Sequence, residues 1–436
     1  MDSPSDPSLR LAPHARIAVV GGGPAGSLFA LSALQFAAQL DRPLDITIFE
    51  RKDLRTAGPS GCNMCAGILS HRVVKGLAQL DLALPEDLIL SRVRAYRLYW
   101  QANSFTIWPP DPARQVLSVY RGGGPRKSAR ASIVGFDQYL LNEARTRGAR
   151  VVAERVQRVS FDSWPRVYTA TLQENFDLVV LAIGANATPP LFERLAYDPP
   201  IAERMAQDEL LLASEQSRAQ MNGTVHVYFD EPSDLIFGAL VPKGDFANVS
   251  LLGRHLRRNS LAEFLRLPQV AAIVGDQAPQ VCGCRPCVAV SPARDYYADR
   301  FVAIGDSCVT RLYKDGIGSA LATARAAAET ALVHGIGRQH FAAHYAPVCR
   351  AIAADNRFGR LVFALVAHSK RNAVFMRALG RALETEAAAP PPSRVLSQTF
   401  WALFTGDASY ADILRMLFKP KAIARLGKAV AQEFGS

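Results

Sequence analysis

The most continuous apolar runs in this chain are short, and several stop at a glycine turn. Ile17-Ala18-Val19-Val20 follows Arg16 and breaks at Gly21-Gly22-Gly23-Pro24-Ala25-Gly26. A run of that length without polar alternation reads as a parallel strand covered on both faces. Residues 27–40 are small and apolar almost all round, the pattern of a helix with neighbours on several sides. Asp45-Ile46-Thr47-Ile48-Phe49 is a second strand, ending on Glu50. Residues 177–184 and 301–306 repeat the strand-then-glycine pattern. Between these segments the period changes. Residues 92–119 alternate (Tyr96, Leu98, Trp100; Phe105, Ile107), as strands of an antiparallel sheet do. Strands are expected again over 224–252, with a hinge at Pro242-Lys243-Gly244-Asp245. Helices are expected over 70–82, 136–147 (with Gly148 as its C-cap) and 316–334, and mostly helical sequence follows, interrupted at 387–392. A strand is expected over 151–161, and no internal repeat is present.

The first glycine turn carries chemistry. It fits G-x-G-x-x-G between a strand and a helix, with an acidic residue at the end of the next strand. Gly21 permits the tight turn, Gly23 lets the backbone approach a pyrophosphate, and Gly26 lets helix and strand pack closely. The pyrophosphate then meets the unpaired N–H groups and positive dipole of the helix start. Glu50 is placed to accept hydrogen bonds from a ribose.

Composition changes this picture little. At 436 residues the chain has room for two or three domains, and its 49% hydrophobic and 20% charged content is ordinary for a globular protein. Residues 1–15 have no apolar h-region, and the longest lipid-like runs fall well short of the ~20 residues that a spanning helix needs. With seven cysteines and no secretory signal, a reducing, cytoplasmic setting is expected. The net charge of +11 gathers partly in 121–158 and 419–428. No nucleic-acid motif accompanies it, and the arginines lack interleaved aromatics; the readings are a solvated basic surface with some phosphate contacts, or a face for an anionic membrane or anionic substrates and cofactors.

Three distant segments together resemble one family. The first glycine turn, residues 177–184, and Ala303-Ile304-Gly305-Asp306-Ser307 followed by Asp315-Gly316-Ile317-Gly318-Ser319-Ala320 look like the FAD-binding elements of flavoproteins with the p-hydroxybenzoate hydroxylase fold. Within that group the chain most resembles the geranylgeranyl reductase-like branch. Cys65-Ala66-Gly67-Ile68, Phe136-Asp137-x-x-Leu140, Leu240-Val241-Pro242-Lys243-Gly244 and Phe404-Thr405-Gly406-Asp407 with Tyr410 carry that likeness. The resemblance implies a doubly wound, Rossmann-like α/β domain that binds FAD, an inserted antiparallel-sheet substrate domain and a helical C-terminal region. The FAD-binding parts are expected at 1–90, 126–195 and 291–340, the substrate domain at 91–125 and 196–290, and the helical region at 341–436.

The same resemblance implies site residues. Gly21, Gly23, Pro24, Ala25, Gly26, Glu50 with Arg51, Gly184 and Asp306 would bind FAD, with Asp306 at the ribityl or pyrophosphate portion and Val156 beside the adenine. Gly316 and Ile317 would present N–H groups to the pyrimidine end of the flavin, where the helix dipole stabilises negative charge on reduction. The implied reaction is hydride delivery from reduced flavin to a C=C bond of a hydrophobic isoprenoid or secondary-metabolite substrate, with NAD(P)H or another reductant as electron donor. Three departures bear on it. The Asp-Gly pair common in monooxygenases is absent after Gly184, Ala239 replaces a larger aromatic of the reductases, and the halogenase tryptophan motif is missing. A monooxygenase that hydroxylates or epoxidises remains the first alternative. A flavoprotein whose cysteines hold a metal and serve a partner is the second.

Cys62-x-x-Cys65 and Cys284-x-x-Cys287, with Cys282 as a fifth thiol, form the most unusual constellation. Their spacing suits a zinc or iron–sulfur site, a redox-active dithiol, or plain buried thiols. Cys65 also stands where the family's flavin-side cysteine does. Cys308 and Cys349 are expected in the core. Tyr313 and Lys314, just before the flavin-facing turn, are candidates to donate a proton or bind an anion, or to lie in a solvated loop. His71 and His226 are expected to be structural, and Trp100, Phe105 and Trp108 to cover a substrate or join the core. Residues 413–434 mix apolar and basic side chains, giving two options: docking on the FAD domain or peripheral contact with an anionic membrane.

Overall fold

The computed structural model describes residues 9–101, 103–126, 128, 134–229, 235–253, 256–275 and 282–434. Parts of two expectations, residues 129–133 of the arginine-rich stretch and 230–234 of the strand region, lie outside the described residues.

The first strand, helix and second strand form at Ala15–Val20, Pro24–Gln39 and Leu44–Phe49. The strands are parallel neighbours, with Ile17 opposite Ile46. Leu178–Leu181 pairs on the other side of the first strand, and Phe301–Ala303 pairs next to it, again in parallel. Arg150–Val152 and the antiparallel Tyr297–Ala298 close the two edges of this six-stranded sheet. Its central strands are apolar without alternation because helices cover both faces: Ile17, Val19, Val179 and Val180 have no exposed surface. The helices Pro24–Gln39 and Gly316–Glu329 pack against one another, and their small side chains permit the close approach.

The second sheet runs in the order Ala206–Leu211, Phe246–Gly253, Leu235–Lys243, Thr224–Tyr228, Ala95–Trp100, Asn103–Ile107. It is antiparallel except at one pair, where Thr224–Tyr228 runs parallel to Ala95–Trp100 with His226 opposite Arg97. After the hairpin at Ala95–Ile107 the chain crosses to the first sheet and returns through Ala206–Leu211 at the opposite edge, so Thr224–Tyr228 reaches Ala95–Trp100 by a long crossover rather than a tight turn. Alternation along Ala95–Trp100 divides side chains between two cores. Tyr96, Leu98 and Trp100 meet the C-terminal helices, whereas Tyr99 joins Tyr228 and Phe264 on the other face. Tyr96 stacks on Phe404 at 5.3 Å, and Phe105 lies so close to Gly380 that a Cβ there would fall 1.9 Å from its ring. Trp108 is exposed.

Other elements refine the expected boundaries. Ser70 caps His71–Ala78 through the Val73 N–H, ending the expected 70–82 helix early. Phe136–Thr146 forms, with Gly148 left-handed at its end. The expected 151–161 strand is two strands, Arg150–Val152 and Arg158–Phe161, in different sheets. The interruption near 387–392 separates Ala373–Ala387 from Val395–Thr405.

The last helix, Pro420–Phe434, docks on Ala373–Ala387 rather than on the first sheet's domain, correcting the expected location. Ala422 and Ala429 are buried there, Arg425 bonds Glu386 at 2.6 Å, and Glu433 bonds Arg377 and Arg381 at 2.7 and 2.8 Å. Phe418, Ile423 and Phe434 remain exposed. Among the described residues no helix is long and apolar enough to cross a membrane.

Candidate functional site

The glycine turn has the geometry its spacing demands. Gly21 takes φ 107°, and a Cβ there would fall 2.5 Å from the Ala182 carbonyl oxygen. At Gly26 a Cβ would fall 1.9 Å from the carbonyl oxygen of Gly21, so the helix reaches the strand only without one. Gly23 is different: the nearest atom to its missing Cβ is Asn63 Nδ2 at 3.4 Å. Space in front of Gly23 is what a diphosphate would fill. No side chain caps the helix that begins at Pro24, leaving its first N–H groups for an anion.

Glu50 accepts hydrogen bonds from the Gly22 and Lys52 N–H groups, both at 2.9 Å, so it braces the turn. Each oxygen keeps lone pairs for a ribose hydroxyl. Arg51 beside it is exposed, and Val156 is buried in the first core.

The late Gly-Asp segment lands against this turn. A Cβ on Gly305 would fall 2.8 Å from that of Ala25, and the Gly305 N–H donates to Thr323 Oγ1 at 2.9 Å. Ser307 Oγ accepts from the Gly184 N–H at 3.1 Å, joining the strand-end turn to the same cluster. Asp306 Oδ1 lies 3.8 Å from the Cβ position of Gly316, which starts the Gly316–Glu329 helix. Burial pushes the Asp306 carboxyl up, and the Arg121 guanidinium opposes this. Asp315 precedes that helix in a left-handed conformation (φ 52°), and its carboxylate accepts from Ser70 Oγ at 3.2 Å. Burial raises it to about 6, against the pull of Arg311.

Arg121 links this cluster to the second sheet. It is buried and pairs with Asp137 through Nη2···Oδ2 at 2.9 Å. Asp137 also accepts from Asn63, the side chain facing Gly23, and Asn63 Oδ1 accepts from Lys52 Nζ at 3.0 Å. Burial lowers the Lys52 ammonium, with Glu50 resisting.

Beyond Arg121 lies a cavity of about 30 Å³, close to the volume of one water. Cys62, Cys65, Cys282 and Cys284 line it, together with Tyr120, Arg121, Lys243, Glu209 and Asn248. The backbone positions the thiols. Cys62 Sγ accepts from the Met64 N–H at 3.2 Å and Cys65 Sγ from the Gly67 N–H at 3.4 Å. Cys284 exchanges backbone hydrogen bonds with Gln207 at 2.7 and 2.8 Å, and the Cys282 N–H donates to Asp208 Oδ1 at 2.6 Å. Interaction with the Cys284 thiol holds that of Cys282 below the ordinary cysteine range, and the same interaction together with burial pushes that of Cys284 up. Burial raises Cys62, with Lys243 and Arg121 opposing. Lys243 is buried and bonds Glu209 Oε1 at 3.2 Å. A larger cavity of about 300 Å³ shares Tyr120 and Lys243 and is otherwise walled by Leu90, Leu211, Leu212, Phe246 and neighbours, with Arg218 and Asp245 at its polar side.

Several expectations need correction. Cys287 does not join the thiols: its strand, Cys287–Ala289, pairs with Ala202–Arg204, and its N–H donates to Asn186 Oδ1 at 2.6 Å. Among the described residues no three His, Cys, Asp or Glu side chains, Cys62, Cys65, Cys282, Cys284 and Cys287 included, are grouped so that they could hold a metal ion. Tyr313 points its hydroxyl at Glu203 Oε2, 2.8 Å away. Lys314 is no solvated loop residue. Its Nζ lies 4.4 Å from the Phe237 ring centroid and 5.5 Å from that of Phe404, and burial lowers it to about 8. His226 is structural, bonded to Tyr99 and to the Gln220 carbonyl, and burial lowers it to about 4. Cys308 and Cys349 are buried in the first core. The sequence did not single out Arg121, Lys243 or Glu209. A lysine inside the apolar strand Leu240-Val241-Pro242-Lys243 was the available signal.

No protein-family model matches the chain, and no curated protein does. Solved structures do. A geranylgeranyl bacteriochlorophyll reductase-like protein from Thermoplasma acidophilum aligns with TM-score 0.66 at 16% identity over 96% of this chain and 100% of that one. The chain has the fold of these flavoproteins. A flavoprotein/dehydrogenase from Cytophaga hutchinsonii aligns at 0.62, with 12% identity over 96% of this chain and 99% of that one. A point mutant of the halogenase PltM, in complex with FAD, aligns at 0.59, with 11% identity over 97% of this chain and 96% of that one. This fold is doubly wound α/β with a second sheet and a helical C-terminal region, as the sequence implies.

Proposed function

We propose that this chain binds FAD and reduces a C=C bond of a hydrophobic isoprenoid or secondary-metabolite substrate. One observation carries the FAD reading: Gly305 and Ser307, nearly three hundred residues from the first turn, pack directly against Ala25 and Gly184, and Asp306 lies between them and the helix start at Gly316. A dinucleotide domain for NAD alone has no use for that second segment, and the open face of Gly23 fits a diphosphate. Bound FAD would supply the two electrons of the reduction.

The chain's own residues do the rest. Gly23 and the helix start at Pro24, Ala25 and Gly26 would hold the diphosphate, Glu50 and Arg51 the adenosine ribose, and Val156 the adenine side. Asp306 would hold the ribityl portion, and the N–H groups of Gly316 and Ile317 would serve the pyrimidine end. A carboxylate at Asp315 would oppose negative charge there, and burial counters this by favouring its neutral form. Cys65 borders the site. Tyr313 donates a hydrogen bond to Glu203 that orients its hydroxyl; a proton given from Tyr313 to substrate carbon would be replaced from solvent. The 300 Å³ cavity with its leucine and phenylalanine walls supports a compact apolar substrate.

The halogenase among the structural neighbours favours a second reading, an oxygen-using monooxygenase. One experiment separates them. The purified protein is loaded with FAD, then given NAD(P)H and a polyprenyl substrate in deuterated water, with and without oxygen. Reductase work yields a deuterated, saturated product without oxygen consumption; oxygen incorporated into product reverses the assignment. A protein that stays colourless with added FAD overturns both.

A further inference from the structure

The helix Pro420–Phe434 has two sides, and only one of them is packed. Ala422 and Ala429 are buried against Ala373–Ala387, and Leu426 and Val430 pack on the same core. Ion pairs fix that side: Arg425 to Glu386, and Glu433 to Arg377 and Arg381. The outward side is divided. With a turn of about 3.6 residues, Ile423 and Phe434 come within about 20° of each other around the axis on one flank, and Lys421 and Lys428 do the same on the other. Between the flanks stand the small, exposed Ala424, Gly427 and Ala431. Phe418 and Lys419, exposed in the turn before the helix, repeat the pairing of ring and ammonium. The apolar side chains are not merely grazed by water: Phe418 is 65%, Ile423 54% and Phe434 78% exposed. The charge is of one sign. Glu433 is the sole acid of residues 413–434, and its side chain is turned inward, 4% exposed.

We propose that this outward side is a docking surface for an anionic lipid bilayer. Phe418, Ile423 and Phe434 enter the boundary between headgroups and acyl chains, and Lys419, Lys421 and Lys428 meet the lipid phosphates with their stems along the apolar edge. Other occupants fit half of the surface. A nucleic acid would pair with the lysines and leave Ile423 and the two rings in water. A second copy of this chain, meeting the same patch across a two-fold axis, would set lysine against lysine. A bilayer offers apolar chains and negative charge side by side, as the helix does. The inward side is already fixed, so contact orders no free segment and costs little chain entropy. The surface goes beyond the flavin reading and needs no flavin.

The test sediments the full chain, without added FAD, with vesicles of phosphatidylcholine alone or mixed with phosphatidylglycerol, at low and high salt. The mixed vesicles should carry the protein down, and the neutral ones should not. At about fivefold per lysine, Lys419→Gln/Lys421→Gln/Lys428→Gln should weaken partition about a hundredfold. Phe418→Ser/Ile423→Ser/Phe434→Ser should weaken it about tenfold or more, with the lysines intact. All six side chains are exposed, so both variants should melt with the wild type. Wild-type protein that ignores the mixed vesicles overturns the proposal. So does a serine variant that binds them like the wild type, which would leave plain adsorption of basic charge. A dimer in light scattering that the serine variant abolishes gives the surface to a second copy and overturns it too. A yellow protein that ignores vesicles sinks this surface alone, and a colourless protein that binds them sinks the flavin reading alone.

Discussion

The glycine turn and the thiol cavity sit on either side of Arg121 and are built from opposite materials. At the turn, position is set by backbone: Gly21, Gly26 and Gly305 fit because they lack a Cβ, and the Glu50 carboxylate bonds backbone N–H groups. At the cavity, position is set by buried charge, with Arg121 on Asp137 and Lys243 on Glu209. A backbone site depends on residues adjacent in sequence. A charged site depends on partners that only the finished fold brings together.

That contrast is broken hardest at Gly26. In Gly26→Ala the new Cβ would overlap the Gly21 carbonyl oxygen, and backbone on both sides must move. A loss of about 5 kcal/mol or more is expected, read as insoluble protein or a collapsed melting transition. If Gly26→Ala melts like the wild type, close packing does not define the turn. Next comes Asp137→Ala, which strands a buried guanidinium. About 4 kcal/mol is expected in urea titration. The double variant Arg121→Met/Asp137→Ala should recover much of that loss, since it removes the uncompensated charge as well.

The two regions also differ in how far sequence reveals them. The turn was legible in full because Gly21 to Glu50 form one local strand–turn–helix–strand unit. The cysteines were legible only as an oddity. Spacing pairs Cys284 with Cys287, whereas strand pairing parts them: the bridge to Gln207 keeps Cys284 at the cavity, and the pairing of Cys287 with Arg204 carries it to Asn186. No pattern within 282–287 encodes the position of Gln207. Lys314 escaped for a like reason. A lysine in a Gly-Asp-rich turn reads as solvated until Phe237 and Phe404 arrive from elsewhere to cover it.

Asp315 tests where buried charge enters the flavin-facing turn. Its carboxyl is raised from 3.8 to about 6 by burial. The native state therefore holds its proton more tightly than the unfolded chain, and this contribution is full below pH ~4 and lost as pH rises through about 6. At ~1.4 kcal/mol per unit the shift amounts to about 3 kcal/mol. Asp315→Asn cannot titrate, so its stability relative to wild type should climb by up to that amount between pH ~4 and ~7, read in paired denaturant titrations. A flat difference would mean that the carboxyl is solvated.

The smallest effect on stability should come from the residue with the most to do with binding. Gly23 faces open space, and a methyl group there meets only Asn63 Nδ2 at 3.4 Å, an ordinary contact with a flexible amide. Its backbone is not left-handed, so alanine is not strained there (φ −68°). Gly23→Ala should therefore melt within about 0.5 kcal/mol of wild type. Yet the same methyl group would stand where a diphosphate approaches the helix start, so FAD affinity should fall about a hundredfold in fluorescence titration. Gly26→Ala cannot separate these roles, because it destroys the turn before any ligand arrives. A Gly23→Ala protein that is stable and still binds FAD at full strength would leave the backbone geometry intact and remove the nucleotide from it.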